Sequence, residues 1–396
     1  MSNVEQGRRR VFVDDDVDEA FARDGYVVIA NFCDDEAVAG LRAAYERHGP
    51  APGDVGEYCH FDFQSRDHEY KKATDGEIRR LLAAPLEQSF VGYRPYYGNY
   101  VMKWPSATSW FGVHQDSCFV DESVAVSASI WVATSEVDES NGAVWFFPGS
   151  HLMRSTIRGS NQMAYSFQDV GATIEERCGR IVRLAPGDAI VFDHRVVHWS
   201  FANTSDTPRL AAVLGVIPEE ATLIHHHTSD DGTTVETFAI DDDFFIQNDP
   251  FGSLLTGLQG YPSLGLRPLV VEPVTEEELD RWLASHPVDA DIELAATLRR
   301  ATEEALSVPA VSATDTGGQG APGPAPSART AHAAAAAPAG DAPGGAVATE
   351  AIEPEPEPAA APDTPAHLEA SVPSTASAPP QRFTSRLRAA VRRRLR

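Results

Sequence analysis

Basic residues are scarce in this chain of 396 residues: 32 Lys and Arg stand against 58 Asp and Glu, for a formal net charge of −26. The shortage is uneven, because the last fifteen residues hold seven Arg and no acid, so the rest of the chain carries −33. A body this acidic repels polyanions, which argues against nucleic acid as a partner of the core and makes a long phosphorylated carrier a poor substrate. Cysteine is also thin. The four present, Cys33, Cys59, Cys118 and Cys178, are scattered without any CxxC spacing, so reduced thiols of a cytoplasmic protein are expected. No uncharged apolar run approaches the ~20 residues that cross a bilayer, and the opening MSNVEQGRRRVFVDDD has no apolar signal core.

Large apolar residues vanish from about Ser307 to Gln381, where stretches such as AHAAAAAPAG and EPEPEPAAAP stand. That composition cannot bury a core. Three parts are therefore predicted: a folded domain over 1–306, a disordered Ala/Pro-rich linker over 307–381 and a basic segment over 382–396. In the last, Phe383, Leu387, Val391 and Leu395 fall four apart and would form an apolar stripe on a basic helix. Such a helix could rest on anionic lipid or dock on an acidic partner, and a disordered basic end fits the composition equally well.

Within the folded part, helical spacing predicts helices at 18–23, 36–47, 77–82 and 292–306, and Thr275 with Glu278 reads as a capping box opening another. Strands are expected at 26–29, within 87–103, and at 124–134, 143–147, 189–192 and 210–217. In 124–134 an apolar face (Val124, Val126, Ala128, Ile130, Val132) alternates with a small or polar one holding a single Trp131, as in a strand lining a pocket. Several short strands after N-terminal helices predict an α+β protein built on a jelly-roll barrel, with helices flanking it on both sides in sequence.

The chemistry is concentrated in His114-Gln115-Asp116, with His198 and then Arg209 far downstream. Side chains two apart on a strand point the same way, so His114 and Asp116 can share one metal ion, and His198 would come from a later strand. Two imidazoles and one carboxylate occupy one face of an octahedral Fe(II) and leave three positions open. Arg209 heads the apolar strand LAAVLGVI, where a charge needs a buried anionic partner.

These residues, with AFARDGYVVIANFCDDEAVAGLRAAYERHG near the start, GVHQDS at 112–117, NGAVWFFPGSH at 141–151 and GDAIVFDHRVVHWSFANTSDTPRLA at 187–211, resemble the phytanoyl-CoA dioxygenase family. The likeness spans roughly residues 17–220 and implies a double-stranded β-helix (cupin-like) fold and an Fe(II)/2-oxoglutarate oxygenase. It implies His114, Asp116 and His198 as iron ligands, with O2 and 2-oxoglutarate as cosubstrates. Arg209 would hold the far carboxylate of 2-oxoglutarate, Ser200 would add a hydrogen bond to it, and Trp131 would stand beside it. Lys103 and Trp110 precede the metal loop and are candidates to face the substrate, with core and surface roles as open alternatives. Asp116 favours hydroxylation, since related halogenases place a small residue there. The expected reaction is hydroxylation of an aliphatic carbon in a small or lipid-like molecule. Ala, Arg and Pro richness suggests a high-GC bacterium, where the resembled enzymes serve specialised or carbohydrate metabolism. The same iron site could instead desaturate, epimerise or cyclise its substrate, or the barrel could be an inactive scaffold.

Other polar clusters receive plainer readings. His60-Phe61-Asp62 repeats the triplet but is expected at the surface or a pocket rim. His194 is a rival to His198 that reads as a core histidine, and His151 reads as a structural hydrogen-bonding residue. His225-His226-His227 is expected in a solvated or rim loop, and Asp241-Asp242-Asp243 as a solvated run or the start of a lid.

Overall fold

The computed structural model describes residues 9–49, 59–154, 156–159, 165–250, 254 and 258–307. The Ala/Pro-rich stretch and the basic C-terminal segment lie outside them.

In chain order the elements are α1 (Asp15–Asp24), β1 (Tyr26–Ile29), α2 (Asp35–His48), β2 (Cys59–Phe61), α3 (His68–Ser89), β3 (Tyr93–Lys103), β4 (Phe111–His114), β5 (Ala128–Ala133) and β6 (Val144–Phe146). They continue as α4 (Gly171–Arg177), β7 (Arg180–Ile181), β8 (Ala189–Asp193), β9 (His198–Ser200), β10 (Arg209–Pro218), β11 (Ile224–Thr228), β12 (Thr234–Ala239), α5 (Asp243–Gln247), β13 (Ser263–Pro268), α6 (Glu276–Ser285) and α7 (Ile292–Ser307). The first three helices are each capped by an aspartate, Asp14, Asp34 and Asp67, whose carboxylate accepts a first-turn backbone N–H. The Thr275–Glu278 capping box closes reciprocally at the start of α6.

The sheets are antiparallel. One has six strands in the order β1-β8-β5-β10-β3-β2, and a second has four in the order β4-β9-β6-β7. From β3 to β6 successive strands alternate between the two sheets, as do β8, β9 and β10. The period of two divides each strand between two cores. Ile130, Val132, Val191, Ala212 and Leu214 pack outward under α1–α3 with Phe21, Leu41 and Ile78. Their neighbours Trp131, Ala133, Ile190, Phe192, Ala211 and Val213 turn the other way and meet Val144 and Phe146 of the four-stranded sheet. The outer face of that smaller sheet, Trp145 and Trp199, is covered by Ile174, Leu279 and Leu298 of α4, α6 and α7. The inner layer between the sheets is where inward-facing polar side chains can collect.

The expected barrel is realised as two facing sheets that hydrogen bonds do not close into a ring among the described residues. The strand expected over 124–134 begins only at Ala128, because Val124 and Ala125 turn back onto Asp121 by backbone hydrogen bonds. The helix expected at 77–82 runs the length of α3, with Pro85 tolerated inside it. A third sheet, β11-β12-β13, was not anticipated. Its β11 contains His225-His226-His227, which therefore lie on a strand and not in a solvated loop, with His225 and His226 buried. Asp242 also departs from the solvated reading: it pairs with Arg79 and Arg94, while Phe244 and Phe245 fill a core beneath the third sheet. No helix among the described residues is long and apolar enough to cross a membrane.

Burial holds His225 down to about 3 and His226 to about 4. In the unfolded chain both regain ordinary values near 6.5, so between roughly pH 6.5 and 4 the unfolded state binds more protons. Stability is thus fully present above about 6.5 and is lost as pH falls toward the folded values. Urea midpoints measured from pH 7.5 to 4.5 should fall, and His226→Gln, which keeps a partner for Thr237, should flatten the slope.

Candidate active site

β4 and β9 are paired so that His114 faces His198 across the ladder, with their rings 4.1 Å apart. Asp116 follows two residues past the end of β4. His114 Nε2 and His198 Nε2 each lie 3.8 Å from Asp116 Oδ1, and the three ligand atoms fall within 4.8 Å of one another. Ligands about 2.1 Å from a first-row metal stand roughly 3 Å apart at right angles, so closing on an ion needs only sub-ångström shifts. The tautomers are set by the backbone: His114 Nδ1 donates to Gly112 O at 2.7 Å and His198 Nδ1 to Val196 O at 3.0 Å. Each ring thereby turns a lone pair on Nε2 toward Asp116, as a metal-ligating histidine must. Burial holds His198 down to about 4, so it is neutral and available as a ligand at neutral pH.

Behind the triad, the period of two carries Ser200, Trp131, Lys103 and Arg209 onto the inner layer. Arg209 and Lys103 are register partners on β10 and β3, and both are buried, at 3% and 1% exposure. Lys103 Nζ donates to Ser200 Oγ at 2.6 Å and to Phe201 O at 2.7 Å. Arg209 donates through Nη1 to Gly142 O, its guanidinium lies 5.0 Å from the Trp131 ring centroid, and its Nε has no partner. No ion pair joins either cation to a carboxylate among the described residues. Burial pulls Arg209 down to about 10, and burial together with the Arg209 charge pulls Lys103 well below the usual lysine range. Two adjacent buried cations without an acid form a site that an anion would complete.

A phytanoyl-CoA dioxygenase family model matches residues 21–211, which contain every one of these groups. Residues 21–211, just under half of the chain, are thus similar to that family. Among curated relatives, the chain is 29% identical over 124 residues to phytanoyl-CoA dioxygenase 1 of Oryza sativa subsp. japonica, covering 31% of this chain and 43% of that protein. It is 28% identical over 131 residues to phytanoyl-CoA dioxygenase domain-containing protein 1 of Danio rerio, covering 31% and 45%. The chain thus spans under half the length of these two relatives. Among solved structures it is similar to the α-ketoglutarate-dependent carbocyclase SnoK from nogalamycin biosynthesis, with 23% identity, a TM-score of 0.40 and coverage of 53% and 86%. It is also similar to HygX of Streptomyces hygroscopicus with nickel, 2-oxoglutarate and hygromycin B bound, with 14% identity, a TM-score of 0.40 and coverage of 52% and 88%.

The family-like segments have physical work here. In PGSH, the Ser150 hydroxyl donates to Phe147 O and accepts from Val197 N, tying that loop to the residue before His198. His151 donates from Nε2 to Ala22 O at 3.2 Å, which is the structural role expected of it. In the Asn-Gly pair, Asn141 bonds Asp138 N and Glu136 O to shape the turn. Gly142 has φ +83°, and a Cβ there would lie 2.7 Å from Lys103 Cδ and 2.8 Å from Phe201 O. Gly142→Ala should therefore cost roughly 1–3 kcal/mol of stability and displace Lys103; a thermal melt of the variant checks the first part. Asn203 is buried and organises the turn before Arg209, accepting from Ser205 and donating to Lys103 O and Thr207 O.

Of the remaining candidates, Lys103 sits with Arg209 and Ser200 and not at an open substrate face. Trp110 is 38% exposed and lies next to Phe111, at 39%, whose ring stands edge-on to His114 at 4.6 Å. Phe61 and Phe63 continue that aromatic row. His194 is satisfied by Ser127 and Ser129 at 2.8 and 3.0 Å and is no ligand. The expectation for His60 and Asp62 is corrected: both are fully buried, and Asp62 accepts from Tyr70 Oη at 2.7 Å and Tyr100 N at 3.0 Å, with His60 Nε2 at 3.1 Å. Sequence reasoning missed the pairing of Lys103 with Arg209; the one available signal was parity, since Lys103 shares the inward phase of Val101.

Proposed function

We propose that this chain is an Fe(II)- and 2-oxoglutarate-dependent dioxygenase that hydroxylates an aliphatic carbon of a small or lipid-like substrate. The observation that carries this is the pairing of a two-histidine, one-carboxylate triad with two buried, acid-free cations on the same inner layer. Such a triad suits Fe(II) with open positions. With both bound, the pair supplies dioxygen activation: 2-oxoglutarate gives succinate and carbon dioxide, and one oxygen atom enters a substrate C–H bond.

In this reading the protein contributes position and electrostatics. His114, Asp116 and His198 hold the ion with no proton left on either Nε2. Arg209 offers Nε and its remaining amino nitrogen to a carboxylate, and its planar fork stays oriented because Trp131 and Gly142 O hold it. Lys103 adds a second charge and aligns the Ser200 hydroxyl. The domain is then a jelly roll carrying the site between its sheets, and residues 1–306 are its catalytic unit. Phe111, Phe61 and Phe63 present an apolar wall beside His114, which fits an apolar stretch of substrate and excludes water from the reacting carbon.

The test is anaerobic loading of the purified chain with Fe(II), followed by 2-oxoglutarate, oxygen and a panel of apolar candidates. Succinate should form in step with a product heavier by one oxygen. Succinate coupled to a product lighter by two hydrogens or of unchanged mass would reject hydroxylation and keep the oxygenase; no iron uptake would reject both.

A further inference from the structure

Asp116 is the one member of the triad without a strand of its own, since the β4–β9 ladder ends at the His114–His198 pair. Something else must aim it. On one side Gln115 Nε2 donates to Arg195 O at 2.5 Å. On the other, Arg158 Nε donates to the main-chain oxygen of Asp116 at 2.7 Å. The same guanidinium makes a two-pronged pair with Glu122, at 2.6 and 3.1 Å, and donates to Thr156 O at 2.8 Å. The backbone joins in: Cys118 N donates to Arg158 O at 2.9 Å. Both side chains of the ion pair are buried, at 5% and 7% exposure. A buried pair is costly to desolvate and is weak evidence for stability by itself, yet this one bonds directly to the main chain of the residue that presents the carboxylate.

We propose that Arg158, held by Glu122, is a positioning residue for the metal centre: it fixes the Asp116 backbone and so the direction of its carboxylate. Arg158 is not one of the three candidate ligands; its guanidinium bonds go to Glu122, Thr156 O and Asp116 O, so its effect would run through the loop. Geometry makes the role specific to arginine. A lysine has one donor head and cannot hold Glu122 with two bonds while reaching Asp116 O. Outer partners of metal ligands typically matter by roughly 10–100-fold in affinity. This inference rests on the reading of His114, Asp116 and His198 as metal ligands.

The experiment is a Co(II) titration of the apo full chain, followed by the visible ligand-field bands, for wild type, Arg158→Met, Arg158→Lys and Glu122→Gln, with melting of each apo variant in chelator. Arg158→Met should weaken Co(II) binding roughly 10–100-fold and change the band pattern, and Arg158→Lys should recover the melting temperature more than the spectrum. Glu122→Gln, the milder change, should shift both in the same sense and serves if Arg158→Met does not fold. Variants that melt lower but bind Co(II) with wild-type affinity and bands would show a purely structural pair and overturn the proposal. Wild-type protein that binds no Co(II) would instead overturn the metal-site reading beneath it.

Discussion

His114→Ala is expected to yield a folded chain that no longer retains iron and no longer converts 2-oxoglutarate to succinate above the rate of free iron in solution. The metal affinity should fall by more than the roughly 10–100-fold typical of an outer partner, because a direct ligand is gone. His114 is the best triad member for this test. Its side chain is partly exposed at a strand end, where it meets the rings of Phe111 and His198. His198 is wedged against Phe146 and Phe192 at 5.7 and 4.9 Å, so its removal would also open a cavity and confuse stability with chemistry. Metal content after anaerobic reconstitution and succinate yield are the measurements. Stoichiometric iron with wild-type turnover in His114→Ala would end the triad assignment.

Arg209→Ala should raise the 2-oxoglutarate requirement while leaving iron binding intact. Truncating one partner of a buried charge pair costs about 2–5 kcal/mol, or roughly 30- to 5000-fold in KM. Lys103 remains as a residual cation, which places the expectation toward the lower half of that range. Arg209→Lys should recover only part of the loss, since an ammonium cannot keep the stack on Trp131, the bond to Gly142 O and a two-point grip on a carboxylate together. Initial rates against 2-oxoglutarate at saturating substrate, with iron content measured on the same samples, separate the two sites. A KM that does not move, or iron lost in parallel, would remove Arg209 from cosubstrate binding.

Much of the site was legible from residue order. His114 and Asp116 stand two apart, Ser200 stands two beyond His198, and Arg209 shares the phase of Ala211 and Val213; each relation is local and survives folding because a strand repeats every two residues. Trp131 was readable for the same reason, as the one large side chain on the small or polar face of its strand. Less legible were the polar groups whose neighbours are remote. His60 and Asp62 look like surface residues until Tyr70 and Tyr100 close over them, and His225–His227 look like a loop until β12 pairs with β11. The early reading of Asp242 failed similarly: a run of three acids appears solvated when Arg79 and Arg94 are about 150 residues earlier.

The amino-acid order alone thus determined which residues can ligate a metal and which strand faces turn inward. Only the tertiary structure decided that Lys103 stands beside Arg209, that Gly142 must leave room for Lys103, and that Arg158 grips the loop of Asp116. Those contacts join positions 97 residues apart for Lys103 and Ser200, 67 for Arg209 and Gly142, and 42 for Arg158 and Asp116. Local periodicity carries no record of strand register between distant segments, and register is what puts one buried charge next to another.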